Sequence, residues 1–310
     1  MTEPAVEGDT ERSPTEAGEE ASGSAKERQL APGLWVVATP IGNLGDMSCR
    51  AREVLARADL VVCEDTRVTG RLLRHLGLAK RLFAYHDHNA DRVRPFLLGR
   101  LAAGERLALV SDAGTPCIAD PGYRLVREAS QRGIPVRTVP GPSAVIAALS
   151  VAGLPTDRFL FEGFLPSKGA ARRRRFAALA DLDVTLVLLE APHRMAETLD
   201  DLLAVLGDRE AAVARELTKL HEQVVRAKLS ELRARLGSDI PARGEFVLVV
   251  APPDIAPVVD VGDATELLRQ LLASHGLREA VERAAIRTGL PRRRLYELAL
   301  ALRRGEREEE

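Results

Sequence analysis

Short apolar runs alternate along this chain with longer stretches in which apolar residues recur every three or four positions. The runs at 34–38, 60–63, 82–85, 107–110 and 135–139 have the length and content of buried strands. Between them, 48–58, 66–76, a stretch running toward Gly104, and 123–131 carry the helical period. Thr66 reads as an N-cap and Gly77 as a stop. Repeated strand–helix units predict a mostly parallel sheet covered by helices.

Pro140-Gly141-Pro142 interrupts this pattern and marks a domain boundary, and an apolar helix over 144–151 follows. Strand-like runs at 158–161, 185–189, 211–215, 223–226 and 245–251 come next, separated in part by helices near 170–179, 193–206 and 230–236. They predict a second α/β domain with more antiparallel pairing, because some connections are short. A Pro-rich linker at 252–257 leads to helices at 265–274, 277–287 and 292–303. The turn Thr288-Gly289-Leu290-Pro291 between the last two suits a small helix-turn-helix-like unit. The expected division is 33–141, 142–253 and 262–304, with acidic tails at 1–32 and 305–310. The first tail is too polar to bury a core and is expected to be disordered.

Composition narrows the class. No apolar run approaches the roughly 18 residues of a membrane span, and the amino terminus has no apolar signal core, so a cytoplasmic protein is expected. Three cysteines, Cys49, Cys63 and Cys117, lack Cys-x-x-Cys spacing and indicate neither a disulfide framework nor a zinc site. His86 and His88 lie two apart without an evident third ligand, so no metal is expected. The formal net charge of −1 hides an asymmetry: residues 1–28 carry −5, 306–310 carry −3, and the body carries +7. A basic body with acidic tails suits an anionic partner such as nucleic acid. Arginine supplies 39 of the 44 basic residues; with abundant alanine, that bias fits a GC-rich genome and carries little weight.

The loop after the fourth strand, Ser111 to Gly122, packs Asp112, Asp120, two glycines and two prolines into twelve residues. A surface turn needs only two or three such residues. At a strand end in an α/β sheet, the rest point to ligand binding. After the first strand comes Thr39-Pro-Ile-Gly42-Asn-Leu44-Gly45-Asp46, where Gly42 lets a ligand approach the backbone. The dinucleotide fingerprint Gly-x-Gly-x-x-Gly fails because Leu44 occupies its second glycine. Glu64 and Asp65 do end the second strand, where a ribose-binding acid would fall, so NAD remains a weak alternative. Three basic patches could meet RNA phosphates: Lys168 with Arg172, Arg173, Arg174 and Arg175; Arg67, Arg71 and Arg74 at helical spacing; and Arg292, Arg293 and Arg294 opening the last helix. Cations at a helix start are unfavourable by the dipole argument, and a phosphate partner would account for the last group. With 4% aromatics, backbone and shape recognition should outweigh base stacking.

Eight segments occur in a meaningful order: Gly42-Asn-Leu-Gly-Asp46, Cys63-Glu-Asp-Thr-Arg67, Asp112-Ala-Gly-Thr-Pro116 with Asp120-Pro-Gly122, Pro140-Gly-Pro-Ser-Ala144, Phe161-Glu-Gly-Phe-Leu-Pro166, Glu190-Ala-Pro-His-Arg194, Arg215 to Glu222, and Gly244-Glu245. Over roughly 33–252 they resemble the tetrapyrrole-methylase superfamily, and more closely its ribosomal RNA branch, which the helical tail also resembles. The resemblance implies S-adenosylmethionine bound in a cleft between two α/β domains of a homodimer. It further implies methylation of the ribose 2′-hydroxyl of a cytidine in the decoding region of small-subunit ribosomal RNA. Carried over by motif, the cofactor residues are Leu44, Asp112, Thr115, Ser143, Ala144, Leu188, Leu217 and Gly244. Ile41 and Asn43 replace two glycines of the family's Gly-x-Gly-x-Gly-Asp turn, as is usual in the RNA branch. The sulfonium is already a good leaving group, so the protein mainly aligns oxygen, methyl and sulfur for direct transfer. A nearby base would help. Asp65 is the first candidate and Glu190 the second, with His86 and Glu216 behind; His193 and Arg194 are expected to support the site. The readings left open beside this one are a precorrin-type small-molecule methyltransferase and a non-catalytic ribosome-assembly factor.

Overall fold

The computed structural model describes residues 30–253 and 261–308. The expected disordered tail therefore lies outside the described residues up to position 29, as do 254–257 of the Pro-rich linker with 258–260 after it, and the final two residues. The last residues of that tail are not loose. Trp35 Nε1 donates to the Ala31 carbonyl at 3.0 Å, Arg137 to the Pro32 carbonyl at 2.9 Å, and Leu30 packs against the core. The chain forms two compact units: 1–40 with 44–142, and 41–43 with 143–310.

The first unit is a five-stranded sheet built from β1 (Gly33–Val37), β2 (Leu60–Cys63), β3 (Leu82–Ala84), β4 (Arg106–Leu109) and β5 (Val136–Val139), in the order β3-β2-β4-β1-β5. Every pairing is parallel. Its helices are α1 (Cys49–Arg57), α2 (Thr66–His75), α3 (Ala90–Ala102) and α4 (Tyr123–Gln131). Near-continuous apolar strands follow from burial on both faces. Leu34, Val62, Leu107 and Leu109 pack on α3 and α4, while Val37, Val61, Cys63 and Ala108 pack on α1 and α2. After β1 the chain moves toward β2 and β3; after β4 it moves the other way, to β5. The carboxyl ends of β1 and β4 are therefore the switch point at which open sheets of this kind hold ligands.

The second unit's sheet contains β6 (Phe159–Phe164), β7 (Thr185–Glu190), β8 (Glu210–Arg215), β9 (Gln223–Lys228) and β10 (Phe246–Val250), in the order β6-β7-β10-β8-β9. Only β6 and β7 are parallel, and the rest pair antiparallel, as the short connections require. One face carries α5 (Ala144–Ala152), with Ile41, Ala148, Leu149 and Leu217 against Val187, Ala212 and Val249. The other carries α6 (Gly169–Leu179), α7 (Met195–Leu206) and α8 (Leu229–Arg235), with Phe176, Leu199, Leu202 and Leu232 against Leu186, Leu188, Val213 and Leu248. Three further helices, α9 (Val261–Leu272), α10 (Leu277–Thr288) and α11 (Arg292–Glu308), close around their own core of Leu268, Val281, Ala284, Leu295 and Ala299. Gly289 ends α10 in the left-handed conformation at φ 66°.

Two expectations are corrected. Asp65, not Thr66, caps α2: its side chain accepts from the Arg67 N–H, and Thr66 is the first helical residue. The last helix does not stop at 303 but runs through Glu308 into the acidic segment, because the single Gly305 weakens a helix without ending it. No helix among the described residues is long and apolar enough to cross a membrane.

Candidate functional site

At the carboxyl end of β4 the loop from Ser111 to Gly122 is pinned along its length. Thr39 and Gly114 exchange backbone hydrogen bonds at 2.9 and 3.0 Å, joining the ends of β1 and β4. Thr115 Oγ1 donates to the Pro142 carbonyl at 3.0 Å, tying in the end of β5. Cys117 and Ala119 sit at positive φ, 71° and 60°, unusual for residues with a Cβ and a mark of backbone held for a purpose. Gly122 has no alternative: at φ 138° a Cβ would lie 2.7 Å from Cys117 Sγ.

This end of the sheet gathers carboxylates. Asp112 Oδ1 accepts the Asp65 backbone N–H at 3.0 Å. Asp65 grips Arg67 through both oxygens, the shorter contact at 2.6 Å, and the guanidinium holds its carboxyl down at about 2. Burial, reinforced by the negative charges of Asp112, Asp120, Asp87 and Asp65, pushes the Glu64 carboxyl up. Burial also raises Asp120, against a hydrogen bond from Ser111. The neighbouring thiols of Cys63 and Cys117 are each pushed by burial to about 11 and stay protonated and unreactive. His86 is half-buried beside this cluster. Leu44, 45% exposed, lies in a 3-10 turn, Leu44–Asp46, just beyond β1.

A second constrained segment follows β8. Glu216 and Thr218 sit at φ 50° and 65°. Glu216 Oε1 accepts the Glu245 N–H and the Lys219 ammonium, both at 2.9 Å, and Lys219, most of all, holds its carboxyl below the usual range. Thr218 Oγ1 accepts the Asn43 N–H at 3.1 Å. Gly244, at φ 91°, lies where a Cβ would be 2.6 Å from the Glu216 carboxyl; Gly42 lies where one would be 2.4 Å from Lys219 Cγ. Leu217 is buried, whereas Leu220 at the tip is 93% exposed. Gly244→Ala should cost about 1–3 kcal/mol of strain and displaced ion pair, read as a lowered thermal midpoint.

Four sequence-derived assignments change. Glu190 is 2% exposed and fully engaged: Thr198 Oγ1 donates to it at 2.7 Å, the Ala191 N–H at 2.8 Å, and Arg194 Nε lies at 3.3 Å. A carboxylate so employed is a structural anchor, not a base. Glu216 is excluded likewise, by Lys219. The Leu188 side chain is wholly buried among α6 and α7, which leaves only its backbone to meet a ligand. Arg172, expected on RNA, is 2% exposed and bonds Asp201 at 2.7 Å.

Its neighbours differ. Arg174 and Lys168 are exposed, Arg173 reaches the other Asp201 oxygen at 2.8 Å, and Arg175 pairs with Glu162. Arg67 is exposed and, with Arg71 and Arg74, lines one surface cavity. Arg292 and Arg293 are exposed and paired with Glu282 and Glu297. Ser143 caps the start of α5 and Ala144 opens it, both half-buried. The structure thus brings Asp65, Asp112 and Thr115 together in the first unit, and Leu217 with Gly244 in the second. Sequence reading placed Glu64 and Asp120 at strand ends but gave neither a catalytic part, and it assigned no role to Thr218 or Lys219. Only the crowding of acids after two strands signalled the first pair. Among the described residues no group of side chains has metal-binding geometry.

Comparison with known proteins places these features. Residues 33–233 match the family model of Tetrapyrrole (Corrin/Porphyrin) Methylases, and 258–303 match that of the RsmI C-terminal HTH domain. The chain is 49% identical over 268 residues to the ribosomal RNA small subunit methyltransferase I of Xylella fastidiosa, covering 85% of this chain and 97% of that protein. It is 47% identical over 269 residues to the protein of that name from Escherichia coli O157:H7, covering 86% and 94%. Among solved structures, a uroporphyrin-III-C-methyltransferase from Thermus thermophilus shares the fold with a TM-score of 0.51 at 22% identity, covering 70% of this chain and 93% of that one. Cobalt precorrin-4 methyltransferase does so with a TM-score of 0.53 at 16% identity, covering 70% and 94%.

Proposed function

The chain belongs to the tetrapyrrole methylase family, and from that premise we propose that it methylates small-subunit ribosomal RNA, at the ribose 2′-hydroxyl of a cytidine in the decoding region. The observation that carries the reading is the near-half identity to ribosomal RNA small subunit methyltransferases I over almost their whole length. The helical unit adds to it, since 258–303 match the model of the RsmI C-terminal HTH domain.

The methyl donor is S-adenosylmethionine, which supplies an electrophilic methyl on a sulfonium. The residues at the carboxyl edge of the first sheet suit such a group. Gly114 and Thr39 fix a narrow backbone shelf, and the carboxylates of Asp112 and Asp120 make a negative field that favours a ligand carrying sulfonium and ammonium charges. Asp112 keeps one oxygen free of its bond to the Asp65 N–H, available for a ribose hydroxyl or an ammonium. Ser143, Ala144, Leu217 and Gly244 remain the proposed donor contacts of the second unit. Exposed Lys168, Arg67, Arg173 and Arg174, with Arg292 and Arg293 on α11, are the proposed phosphate contacts. The protein is proposed to act as a cytoplasmic homodimer.

The test is transfer of labelled methyl by purified protein offered unmodified small subunits, naked ribosomal RNA and a tetrapyrrole in parallel. Label on one ribose-methylated cytidine is expected. Label on the tetrapyrrole alone would make it a small-molecule enzyme, and label on nothing would favour an assembly factor. Arg173→Ala with Arg174→Ala should weaken subunit binding and lower the slope of log affinity against log salt by about 1–2, since each phosphate contact contributes close to one. Donor affinity should not change.

A further inference from the structure

We propose that Glu64 is the general base that takes the proton from the ribose 2′-hydroxyl. The inference rests on the methyl-transfer reading above and adds the group that reading leaves unnamed.

The argument is one of position and availability. Glu64 directly follows β2, at the same sheet edge as the Asp112 loop. It is half-buried, so its carboxyl is partly withdrawn from water yet open to a substrate. Among the described residues its carboxylate has no hydrogen-bond or ion-pair partner. The other acids are bonded or assigned to the donor. Asp65 is clamped by Arg67, which leaves it a very weak base, and Asp112 holds the Asp65 N–H with one oxygen and is assigned to the donor through the other. Asp120 lies inside the Asp112 loop, in the negative field assigned to the donor, while Glu190 and Glu216 are bonded elsewhere. The charges facing Glu64 are all negative: Asp65 from the cap of α2, Asp87 after β3, Asp112 and Asp120 after β4. The nearby cation, Arg67, is already spent on Asp65. Burial, and after it the like charges, favour the protonated form, so this carboxylate gains basicity where a hydroxyl needs one.

In the step, the ribose 2′-oxygen forms its bond to the methyl carbon as the methyl–sulfur bond breaks. That bond's electron pair goes to sulfur, leaving a neutral thioether. The hydroxyl proton passes to the Glu64 carboxylate, which returns it to solvent.

Glu64→Gln should bind S-adenosylmethionine within about threefold of the unchanged protein and slow single-turnover transfer by about 100-fold or more, within the usual range for loss of a general base. The rising limb of the pH–rate profile should vanish with it. Because the substitution removes a crowded charge, the thermal midpoint at neutral pH should hold or rise. Carboxyl carbon NMR of the protein without RNA should find Glu64 titrating above the other glutamates, and Asp87→Asn, at an exposed neighbour, should lower that titration. Transfer by Glu64→Gln at the normal rate would overturn the proposal. So would loss of donor binding in step with transfer in both Glu64→Gln and Glu64→Asp, which would make Glu64 a donor ligand, or titration of Glu64 at an ordinary glutamate value. Failure of the methyl-transfer reading looks different: the unchanged protein would label no RNA.

Discussion

Arg172→Ala is expected to unfold much of the second unit rather than to blunt RNA binding. The guanidinium is 2% exposed and bonds Asp201 at 2.7 Å, with Glu197 at 3.5 Å. Removing one partner of a buried pair strands the other charge and costs about 3–5 kcal/mol. Arg173, on the other Asp201 oxygen, offsets part of this. Equilibrium denaturation in urea would show the midpoint fall sharply. Arg174→Ala, one position on but exposed, should stay within about 0.5 kcal/mol of the starting protein. The double replacement Arg172→Met with Asp201→Leu should recover most of the loss, because an apolar pair of similar volume replaces a desolvated ion pair at little net cost. Equal small losses at Arg172 and Arg174 would return Arg172 to the RNA surface.

Asp112→Asn should cut affinity for S-adenosylmethionine by about 100-fold, close to 3 kcal/mol, the scale of a charge-assisted hydrogen bond lost from a half-buried site. The asparagine oxygen can still accept the Asp65 N–H, so the fold should survive, and calorimetric titration beside thermal melting separates the two effects. Donor affinity should also fall with pH. Asp120 takes up a proton earlier than an ordinary carboxylate, because burial raises it, and that proton removes a charge that attracts the cationic donor. For stability the sign is opposite: folding raises Asp120 and Glu64 above their unfolded values, so they detract from stability at neutral pH, and that cost lifts as pH falls through their folded range.

Much of the fold was legible because it rests on periodicity. The run Tyr123–Gln131 was read with the ends the structure gives, and the first sheet's apolar strands announced their burial on both faces. Capping was less so: Asp65 and Thr66 are both good caps, and only the geometry of Arg67 chooses between them. The site was legible as motifs but not as roles. Four consecutive arginines look alike in sequence; whether one points inward depends on Asp201, twenty-nine positions away on α7. Glu190 has the residue type of a base, and nothing local to it reveals that Thr198 and Arg194 occupy its oxygens. The basicity of Glu64 comes first from burial and then from acids that include Asp87, Asp112 and Asp120 on two other segments, a sum over contacts that no linear window contains.

The excursion of Ile41 to Asn43 bears on modularity. These three residues leave one compact unit, join the other, and return. Ile41 fills the apolar cluster with Val145, Leu149 and Leu217, and Asn43 bonds Thr218. A gene cut at the apparent boundary near Pro142 would therefore yield a carboxyl-terminal fragment missing a plug from its own interior. Its Glu216–Thr218 segment would also lack the backbone that seats it. Neither half is a free-standing cassette. Recombination that exchanged halves between relatives would have to carry this short stitch with the later half, although it is encoded within the earlier one.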